Sequence, residues 1–474
     1  MTGSLLSGPP VAINLGVAQF AADIASASGR VTATDWRPPS GGLAVARALD
    51  ALGRPQVAER ITAANARVVE RLRGARPALV DVRPARELIR ELRDRALLHA
   101  GPPVSWENMT GPVRGAAIGA ALLEGWATDT AGAERLLASG GVTFLPCHHV
   151  GAVGPMGGIT SGSMPLLVVE ERTWGGRACC TMNEGIGRVL RFGANGPEVI
   201  ERLRWMRDEL GPTLSRALRQ SDGIDLHAIM ARALTMGDEM HQRNVAATLL
   251  LTRDLAPLMA GLDMPTATRL AVSRFLGQTE QFFLNVAMAA CKAIADAARQ
   301  AGAESSLVTT LARNGYEFGV RLGATGDRWF TATVNTPDGL YFGGYSQADA
   351  SPDMGDSAIT ETVGIGAFCM AAAPAVVPYV GAGGFGDALR ITREMRQITV
   401  AENPDFAIPT LELAGAPTGI DVRLVVATGI EPIINTGIAH RDAGVGQVGA
   451  GTVRAPIACF EQATLALAEL FARG

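Results

Sequence analysis

The chain is poor in charged and aromatic residues, and glycine and proline break its longest uncharged stretches. Charged residues make up 19% of the 474 positions, aromatic residues 5%, and the formal net charge is −4. This weakly acidic balance argues against nucleic-acid binding through bulk charge. Residues 136–169 and 362–386 contain no Asp, Glu, Lys or Arg. A broken backbone would leave peptide groups unpaired in lipid, so we expect neither stretch to span a membrane.

Cysteine is also scarce, and its spacing fits neither a CxxC pair nor a zinc site. The six cysteines lie at positions 147, 179, 180, 291, 369 and 459. We expect them to be reduced thiols of a cytoplasmic protein. Residues 1–10 lack the basic start and the long apolar core of a secretory signal, which agrees with this location.

The beginning of the chain has the pattern of a doubly wound α/β sheet. An apolar run at 11–15 ends in Gly16, a helical pattern follows, and a second strand-like run at 31–34 leads to Asp35. Residues 78–82 predict a further buried strand and residues 85–99 a further helix. The first turn lacks the G-x-G-x-x-G that a dinucleotide pyrophosphate needs, so no NAD is expected.

Changes of pattern divide the chain into four predicted parts within one mixed α/β class. The first is a Rossmann-like half-sheet at 1–100, and the second is a glycine-rich α/β domain with a His-His loop at 101–215. An inserted, mainly helical segment covers 216–300. The last part, 301–474, returns to short strands and turns and predicts a C-terminal α/β domain.

The uncharged stretch around 144–163 is the first candidate site. Its many amides beside His148 and His149 suggest a loop that holds an anionic ligand. The alternative is a glycine-rich connection in which both histidines are hydrogen-bonded structurally. The candidate ligand-binding glycines are Gly151, Gly154, Gly157 and Gly158.

Two further segments carry candidate polar groups. Asn183 and Glu184 follow a predicted strand, where site residues often lie, although Glu184 could simply be solvated. A helical reading of 237–244 places Asp238, His241 and Asn244 on one face, and it allows Glu239 to pair with Arg243. A carboxylate beside an imidazole prepares a general acid or base. A surface histidine beside an aspartate is the alternative.

A group of carboxylates near 349–361 is a weak candidate for a metal site. Asp353, Asp356 and Glu361 have oxygen ligands that suit Mg²⁺, but their spacing is not that of an EF-hand. Asp356 is equally suited to cap the helix that follows. The cofactor is therefore open, with Mg²⁺ as one option.

Seven motifs together resemble one family, long described as a domain of unknown function, which includes a subunit of the oxamate carbamoyltransferase of anaerobic allantoin degradation. The similarity extends from about 11 to 471. The motifs are Trp-Arg-Pro-Pro (36–39), Asn-Met-Thr-Gly-Pro (108–112), Pro-Cys-His-His-Val-Gly-Ala-Val-Gly-Pro-Met-Gly-Gly (146–158), Asn-Glu-Gly-Ile-Gly (183–187), Gly-Asp-Glu-Met-His-Gln-Arg-Asn (237–244), Gly-Asp-Ser-Ala-Ile-Thr-Glu-Thr (355–362) and Ile-Asn-Thr-Gly-Ile-Ala-His (434–440).

The resemblance implies reversible carbamoyl transfer between an oxalurate-like ureide and phosphate, which gives oxamate and carbamoyl phosphate. It also implies partners: a subunit similar to the α-chain of succinyl-CoA synthetase and one further small subunit. We therefore expect an oligomeric enzyme without nucleic-acid or membrane partners, of which this chain is a part.

This chemistry needs a phosphate cradle, donors for a tetrahedral oxyanion, and an acid for the departing nitrogen. The loop glycines, with Arg114 or Arg441 as charge partner, are candidates for the cradle. Asn183 or Asn244 are candidates for the oxyanion donor. The acid candidates and their orienting carboxylates are His148, His149 and His241, with Glu184 or Asp238.

Three function classes stay open on the sequence. The first is the carbamoyltransferase, the second an amide or ureide hydrolase that uses the same site with water. The third is a non-catalytic scaffold subunit of a ligase-like complex. A cysteine nucleophile at Cys147 beside His148 is a lesser option, because sequence neighbours rarely have the geometry for attack.

Overall fold

The computed structural model describes residues 11–34 and 38–473. It confirms the predicted mixed α/β class, with helices and several small sheets throughout these residues. None of the described helices is both long and apolar enough to cross a membrane. Asp35 and the Trp36 and Arg37 of the first motif lie outside the described residues, as do residues 1–10.

The described strands, in chain order, are β1 (Val11–Leu15), β2 (Arg30–Thr34), β3 (Pro77–Pro84), β4 (Ala96–His99), β5 (Thr143–Pro146), β6 (Ala152–Val153), β7 (Pro165–Glu171), β8 (Arg177–Thr181), β9 (Ile224–Asp225), β10 (Val308–Asn314), β11 (Glu317–Leu322), β12 (Phe330–Thr333), β13 (Asp338–Tyr341), β14 (Met354–Gly355), β15 (Thr399–Ile408), β16 (Ala414–Ile420), β17 (Ile433–Ala439) and β18 (Gln447–Arg454).

The described α-helices are α1 (Ala18–Ser26), α2 (Gly42–Leu52), α3 (Pro55–Gly74), α4 (Ala85–Leu88), α5 (Gly111–Leu123), α6 (Thr130–Ala138), α7 (Pro197–Trp205), α8 (Gly211–Leu218), α9 (Leu226–Thr235), α10 (Val245–Ala260), α11 (Thr266–Gln278), α12 (Phe282–Gln300), α13 (Ile359–Thr362), α14 (Val376–Tyr379), α15 (Phe385–Arg396), α16 (Val422–Thr428) and α17 (Ile457–Arg473).

The predicted strand, helix and strand at the N-terminal end are present as β1, α1 and β2, with the strands parallel. The further strand predicted at 78–82 also exists, as part of β3. It does not extend the N-terminal pair, because it pairs antiparallel with β7 and β9 in another sheet. A buried apolar run predicts a strand but not its neighbour, which is why sequence reasoning placed it in the wrong sheet.

The helix predicted over 85–99 is wrong beyond its first turn. Only α4 is α-helical, a 3-10 turn covers Arg90–Arg93, and the segment ends as β4. β4 pairs in parallel with β5, which leads directly into the histidine loop. Leu97 and Leu98 are fully buried there. Short apolar runs of this kind do not distinguish a strand from a buried helix.

The central sheet has the strand order β6-β8-β7-β3-β9 and carries the glycine-rich segments. Its β7–β8 hairpin turns at Gly175 and Gly176, which both have positive φ. α12 packs against β7 and β8, and 16 of its 19 residues are buried. A helix that is buried on all sides belongs to the centre of a core.

The C-terminal residues form three smaller sheets, with the orders β12-β11-β10-β14, β13-β18-β17 and β15-β16. The division at 100, 215 and 300 stays a prediction. α12, from the third predicted part, packs against α3, β7 and β10 of the other three. The chain around α12 is therefore held together by contacts that cross all of the predicted boundaries.

Two glycines of the histidine loop between β5 and β7 differ in the space that they leave for a side chain. Gly151 and Gly158 both have positive φ, +70° and +65°. A Cβ on Gly158 would lie 2.5 Å from the backbone nitrogen of Ala100, whereas on Gly151 the nearest atom is a backbone oxygen at 3.4 Å. Backbone atoms cannot move aside without shifting β4.

We predict that Gly158→Ala lowers the free energy of unfolding by roughly 2–5 kcal/mol, the sum of left-handed strain and a backbone clash. Gly151→Ala should cost only the strain, roughly 1–2 kcal/mol. Chemical denaturation of both variants measures the difference. Equal losses would show that the loop is not packed as described.

Candidate active site

A histidine–glutamate pair lies at the centre of the candidate active site. His241 Nδ1 is 2.8 Å from Glu361 Oε1 and 3.0 Å from Oε2, and Thr360 Oγ1 is 3.2 Å from the same nitrogen. The two side chains are 4% and 0% exposed. A carboxylate at Nδ1 fixes the orientation of the ring and leaves Nε2 for chemistry.

The predicted partner of His241 is wrong, because 236–244 is a loop between α9 and α10 rather than a helix. Asp238, His241 and Asn244 therefore do not share a helix face. The Asp238 carboxylate lies 3.3 Å from the Arg243 guanidinium and makes no hydrogen bond to His241. Burial raises the pKa of Asp238.

Glu239 is the physical reason for this loop. Its buried carboxylate accepts the backbone amides of His241, Gln242 and Arg243 at 2.9, 2.5 and 2.7 Å. Three consecutive amides that turn toward one side chain cannot also continue a helix. The predicted pair of Glu239 with Arg243 thus uses the arginine amide, not its side chain. Burial raises the pKa of Glu239 to about 7, although the charge of His241 opposes the shift.

His241 opens onto a narrow cleft between the helical segment and the C-terminal strands. Its Nε2 has no hydrogen-bond partner among the described residues and is not one of their buried unpaired atoms. An apolar cavity and an outer pocket adjoin the cleft, since each shares lining residues with it. Polar residues that line the cleft are Arg191, His241, Gln242, Gln281, Ser357 and Gln447.

Arg191 is a residue of this cleft that sequence reasoning missed. It is 8% exposed, lines both the cleft and the apolar cavity, and stacks on Phe192 at 5.1 Å. Nη2 donates to Gly185 O at 2.9 Å, while Nε is buried without a partner. Burial lowers the pKa of Arg191 to about 10, which leaves it charged at neutral pH. Its position four residues after the Asn-Glu-Gly-Ile-Gly motif was the available signal.

Glu184 and Asn183 follow β8, as predicted, but they hold the loop that carries Arg191. Glu184 accepts the amides of Leu190 and Arg191 at 2.9 and 3.3 Å, and it lines the apolar cavity. Burial raises its pKa. Asn183 uses its amide nitrogen on Gln281 O and on Asn285 Oδ1, at 2.9 and 3.0 Å.

Asn244 lies directly behind the predicted acid. Its Nδ2 donates to His241 O at 3.1 Å, and its Oδ1 is buried without a partner. The side chain is fully buried. Among the predicted site residues, Asn244 and His241 are thus brought together, and Asn244 acts on the backbone of His241 rather than on the cleft.

The amides of the histidine loop are mostly engaged within the protein. The amide of Gly151 donates to Cys147 O, that of Gly154 to Asp356 Oδ2 at 2.9 Å, and that of Gly158 to Pro155 O. Gly157 O accepts from Ala100 N at 3.1 Å. A phosphate cradle built from these glycines would first have to break bonds that hold the loop.

His148 and His149 lie apart from His241. The His148 side chain is 0% exposed, with Nε2 3.3 Å from Asp356 Oδ1. His149 is exposed, and its Nε2 accepts a hydrogen bond from Trp329 Nε1 at 2.8 Å. Burial lowers the pKa of both histidines.

The two predicted charge partners also lie away from the cleft lining. Arg114 donates to Trp106 O and Glu107 O at 3.1 and 2.7 Å and stacks on the Trp106 ring. Arg441 is exposed, and its amide donates to Asp349 O at 2.8 Å. Arg114 therefore holds the segment of Trp106 and Glu107, and the backbone of Arg441 holds that of Asp349.

The three weak metal candidates have separate partners. Asp353 pairs with Arg313 at 2.6 Å, and Asp356 accepts the amides of Gly101 and Gly154. Glu361 holds His241. Among the described residues, no group of three or more His, Cys, Asp or Glu side chains is arranged to hold a metal ion. These carboxylates do not form one ligand set.

All six cysteines are buried free thiols. Burial is the largest cause that raises the pKa of Cys147 well above its ordinary value, and the nearby Asp356 carboxylate raises it further. A thiol that stays protonated is a poor nucleophile, which disfavours the Cys147 alternative.

The protein has a mixed α/β fold, and its cleft is lined by an oriented histidine, His241, and a buried arginine, Arg191. A family model described as oxamate carbamoyltransferase subunit AllG matches residues 142–357. Oxamate carbamoyltransferase subunit AllG of Escherichia coli (strain K12) is 58% identical over 411 residues, which cover 86% of this chain and 98% of that protein. The chain therefore belongs to the AllG family, as its motifs predict.

Two more relatives support the same fold over different lengths. Uncharacterized protein YahG of Escherichia coli (strain K12) is 44% identical over 473 residues, which cover 99% of this chain and 100% of that protein. A crystal structure of a protein of unknown function from Enterococcus faecalis V583 superposes with a TM-score of 0.85 at 45% identity. It covers 87% of this chain and 99% of its own.

The lowered pKa of His148 predicts a pH dependence of stability. Folded His148 resists protonation, whereas in the unfolded chain it takes up a proton as the pH falls below its ordinary 6.5. The unfolded state then binds more protons, so stability falls as the pH decreases from 6.5 toward the folded pKa.

We expect His148→Gln to lose less stability than the parent between pH 7.5 and 5.5, by up to about 1.4 kcal/mol, because this range extends one pH unit below the ordinary pKa. Denaturant unfolding at the two pH values measures this. Identical losses in both proteins would mean that His148 protonates equally well in the folded state.

Proposed function

We propose that this chain is a subunit of a carbamoyltransferase and that its cleft moves a carbamoyl group between an oxalurate-like ureide and phosphate. The relative named oxamate carbamoyltransferase subunit AllG supports the reaction class. The observation that carries the assignment to this cleft is that the oriented His241 and the buried Arg191 both belong to its lining. One supplies a proton and the other a positive charge.

In the proposed reaction a phosphate oxygen attacks the ureido carbonyl carbon, and the bond from that carbon to the amide nitrogen breaks. The products are carbamoyl phosphate and oxamate. The departing nitrogen needs a proton, which His241 donates from Nε2 while Glu361 holds Nδ1. In the reverse direction Nε2 of His241 removes a proton from the oxamate amide as this amide attacks carbamoyl phosphate.

Arg191 binds the anionic end of the substrate in this proposal. The buried guanidinium forms no salt bridge within the described part of the chain, although the charge of Glu184 raises its pKa against burial. An anion that reaches it would offset the remaining cost of desolvation. Both the ureide carboxylate and phosphate supply that charge. The amide groups of Gln242, Gln281 and Gln447 line the same space, and they are the donors that we propose for the tetrahedral oxyanion.

The partners follow the name of the relative, which calls it a subunit. We propose a complex with a chain similar to the α-chain of succinyl-CoA synthetase and one further small subunit. The physiological setting that we propose is the degradation of allantoin and other purine products in the cytoplasm.

The acid is tested by carbamoyl-phosphate-dependent phosphate release with oxamate as acceptor, first with this chain alone and then with its genomic-neighbour subunits. We expect His241→Gln to lower kcat at least about 100-fold, because a general acid contributes that much. Glu361→Gln should lower kcat at least about tenfold by freeing the ring. The control is His227→Gln, whose imidazole pairs with Asp405 at 3.0 Å outside the cleft lining.

A loss in His227→Gln equal to that in His241→Gln would contradict the assignment. Cleavage of oxalurate that does not depend on added phosphate would instead indicate the hydrolase. Ligand binding without turnover in every mixture would indicate the scaffold subunit.

The charge partner is tested in the same assay. Arg191→Gln should raise KM for oxamate or carbamoyl phosphate about 10- to 100-fold, since a charged hydrogen bond contributes roughly 1.5–3 kcal/mol. Arg188→Gln removes the same charge from an arginine of that loop whose side chain is 70% exposed, and it should leave KM unchanged. A KM for Arg191→Gln like that of the parent would remove the arginine from the proposed site.

A further inference from the structure

The sequence contains a single lysine, Lys292, among its 42 lysine and arginine residues. It lies on α12 in the interior, where its side chain is 1% exposed and pairs with Asp296 at 2.6 Å. Every other basic position of the chain is an arginine, including all of those at the surface. A compact ammonium group is thus used only at this buried position, where a planar guanidinium would need more room.

A second buried cation, Arg321, lies close to this lysine. Its side chain is 1% exposed and stacks on Trp329 at 5.2 Å. Nε and Nη1 are buried without hydrogen-bond partners. Nη2 donates to Asp327, a turn residue whose side chain is 75% exposed.

Trp329 also connects the cluster to both histidines of the loop. Its ring lies 5.8 Å from that of His148 and 6.2 Å from that of His149, and its Nε1 donates to His149. Neither ring nitrogen of the buried His148 makes a hydrogen bond within the described residues. The charges of Lys292 and Arg321, after burial, help to lower the pKa of His148.

The positive charges near Arg321 outnumber their salt-bridge partners. Lys292, Arg299 and Arg321 pair with only two carboxylates of the described residues, Asp296 and Asp327, and the further carboxylate of Asp356 lies 3.3 Å from His148. Asp327 lies on an exposed turn and is shared by Arg299 and Arg321, so it is the carboxylate that an anion can displace most easily. Its departure would free Nη2 beside the unpaired Nε, and these two groups form the edge of a guanidinium that binds an oxyanion with two parallel bonds.

We propose that the cluster of Lys292, Arg321, His148 and Trp329 binds a small oxyanion of the phosphate type, which replaces Asp327 on Arg321. This site is separate from the His241 cleft. Lys292 follows the cavity-lining Asn285 by seven residues on α12, a rise of about 10 Å. The inference does not depend on the proposed function.

The single lysine gives a direct measurement. The full chain grown with ¹³C-labelled lysine has one labelled side chain, and its Cε resonance is followed during titration with inorganic phosphate at constant ionic strength. We expect a saturable shift. Asp327→Asn should tighten phosphate binding at least about threefold, because it removes the competing carboxylate, and Arg321→Gln should weaken it about tenfold or more.

Matched controls separate the site from general charge effects. Arg328→Gln removes an exposed arginine from the same turn, and Asp338→Asn removes an exposed carboxylate elsewhere; both should titrate like the parent. Asp327 is exposed, so its variant tests the proposal even where Arg321→Gln does not fold. Arg191→Gln should leave the lysine response intact, which keeps the two sites distinguishable.

A lysine resonance that does not move with phosphate in either the parent or Asp327→Asn would overturn the proposal. So would equal phosphate affinities in the parent, Asp327→Asn and a folded Arg321→Gln.

Discussion

The structure depends on buried carboxylates that are stabilised by backbone amides. Asp356 is fully buried and accepts the amides of Gly101 and Gly154. It thereby connects the end of β4 and the histidine loop to the segment between β14 and α13. Glu239 bends the loop of His241 by accepting three amides in a row. Glu361 accepts the Ala367 amide while it holds the imidazole. A carboxylate in the interior requires such donors, because its desolvation is otherwise too costly.

The helices and strands of this fold could be predicted better than the strands with which each strand pairs. Regular patterns gave the strand, helix and strand of β1, α1 and β2, and the mainly helical segment that ends in α12. They did not give the sheet of β3, nor the strand β4 inside a predicted helix, since short apolar runs fit either structure. Helix and strand patterns alternate along the chain, and this alternation was enough to predict the mixed α/β class.

The candidate site was predictable only in part, for a physical reason. His241 has a recognisable motif, but its partner Glu361 lies 120 positions later, and only tertiary structure brings them together. The nearer Asp238 was the natural choice for a helix that Glu239 prevents. Arg191 belongs to no expected pattern, and what distinguishes it is burial without a salt bridge to any carboxylate of the described residues. Neither burial nor the lack of a partner is visible in a sequence.

The pairing of His241 with Glu361 also makes the candidate site depend on two segments that lie far apart in the sequence. The imidazole belongs to the loop before α10 and the carboxylate to α13, so the two groups come from segments that α12 separates along the chain. Any opening movement between these segments separates the acid from the group that orients it. The orientation of the imidazole therefore depends on how these two segments pack against each other.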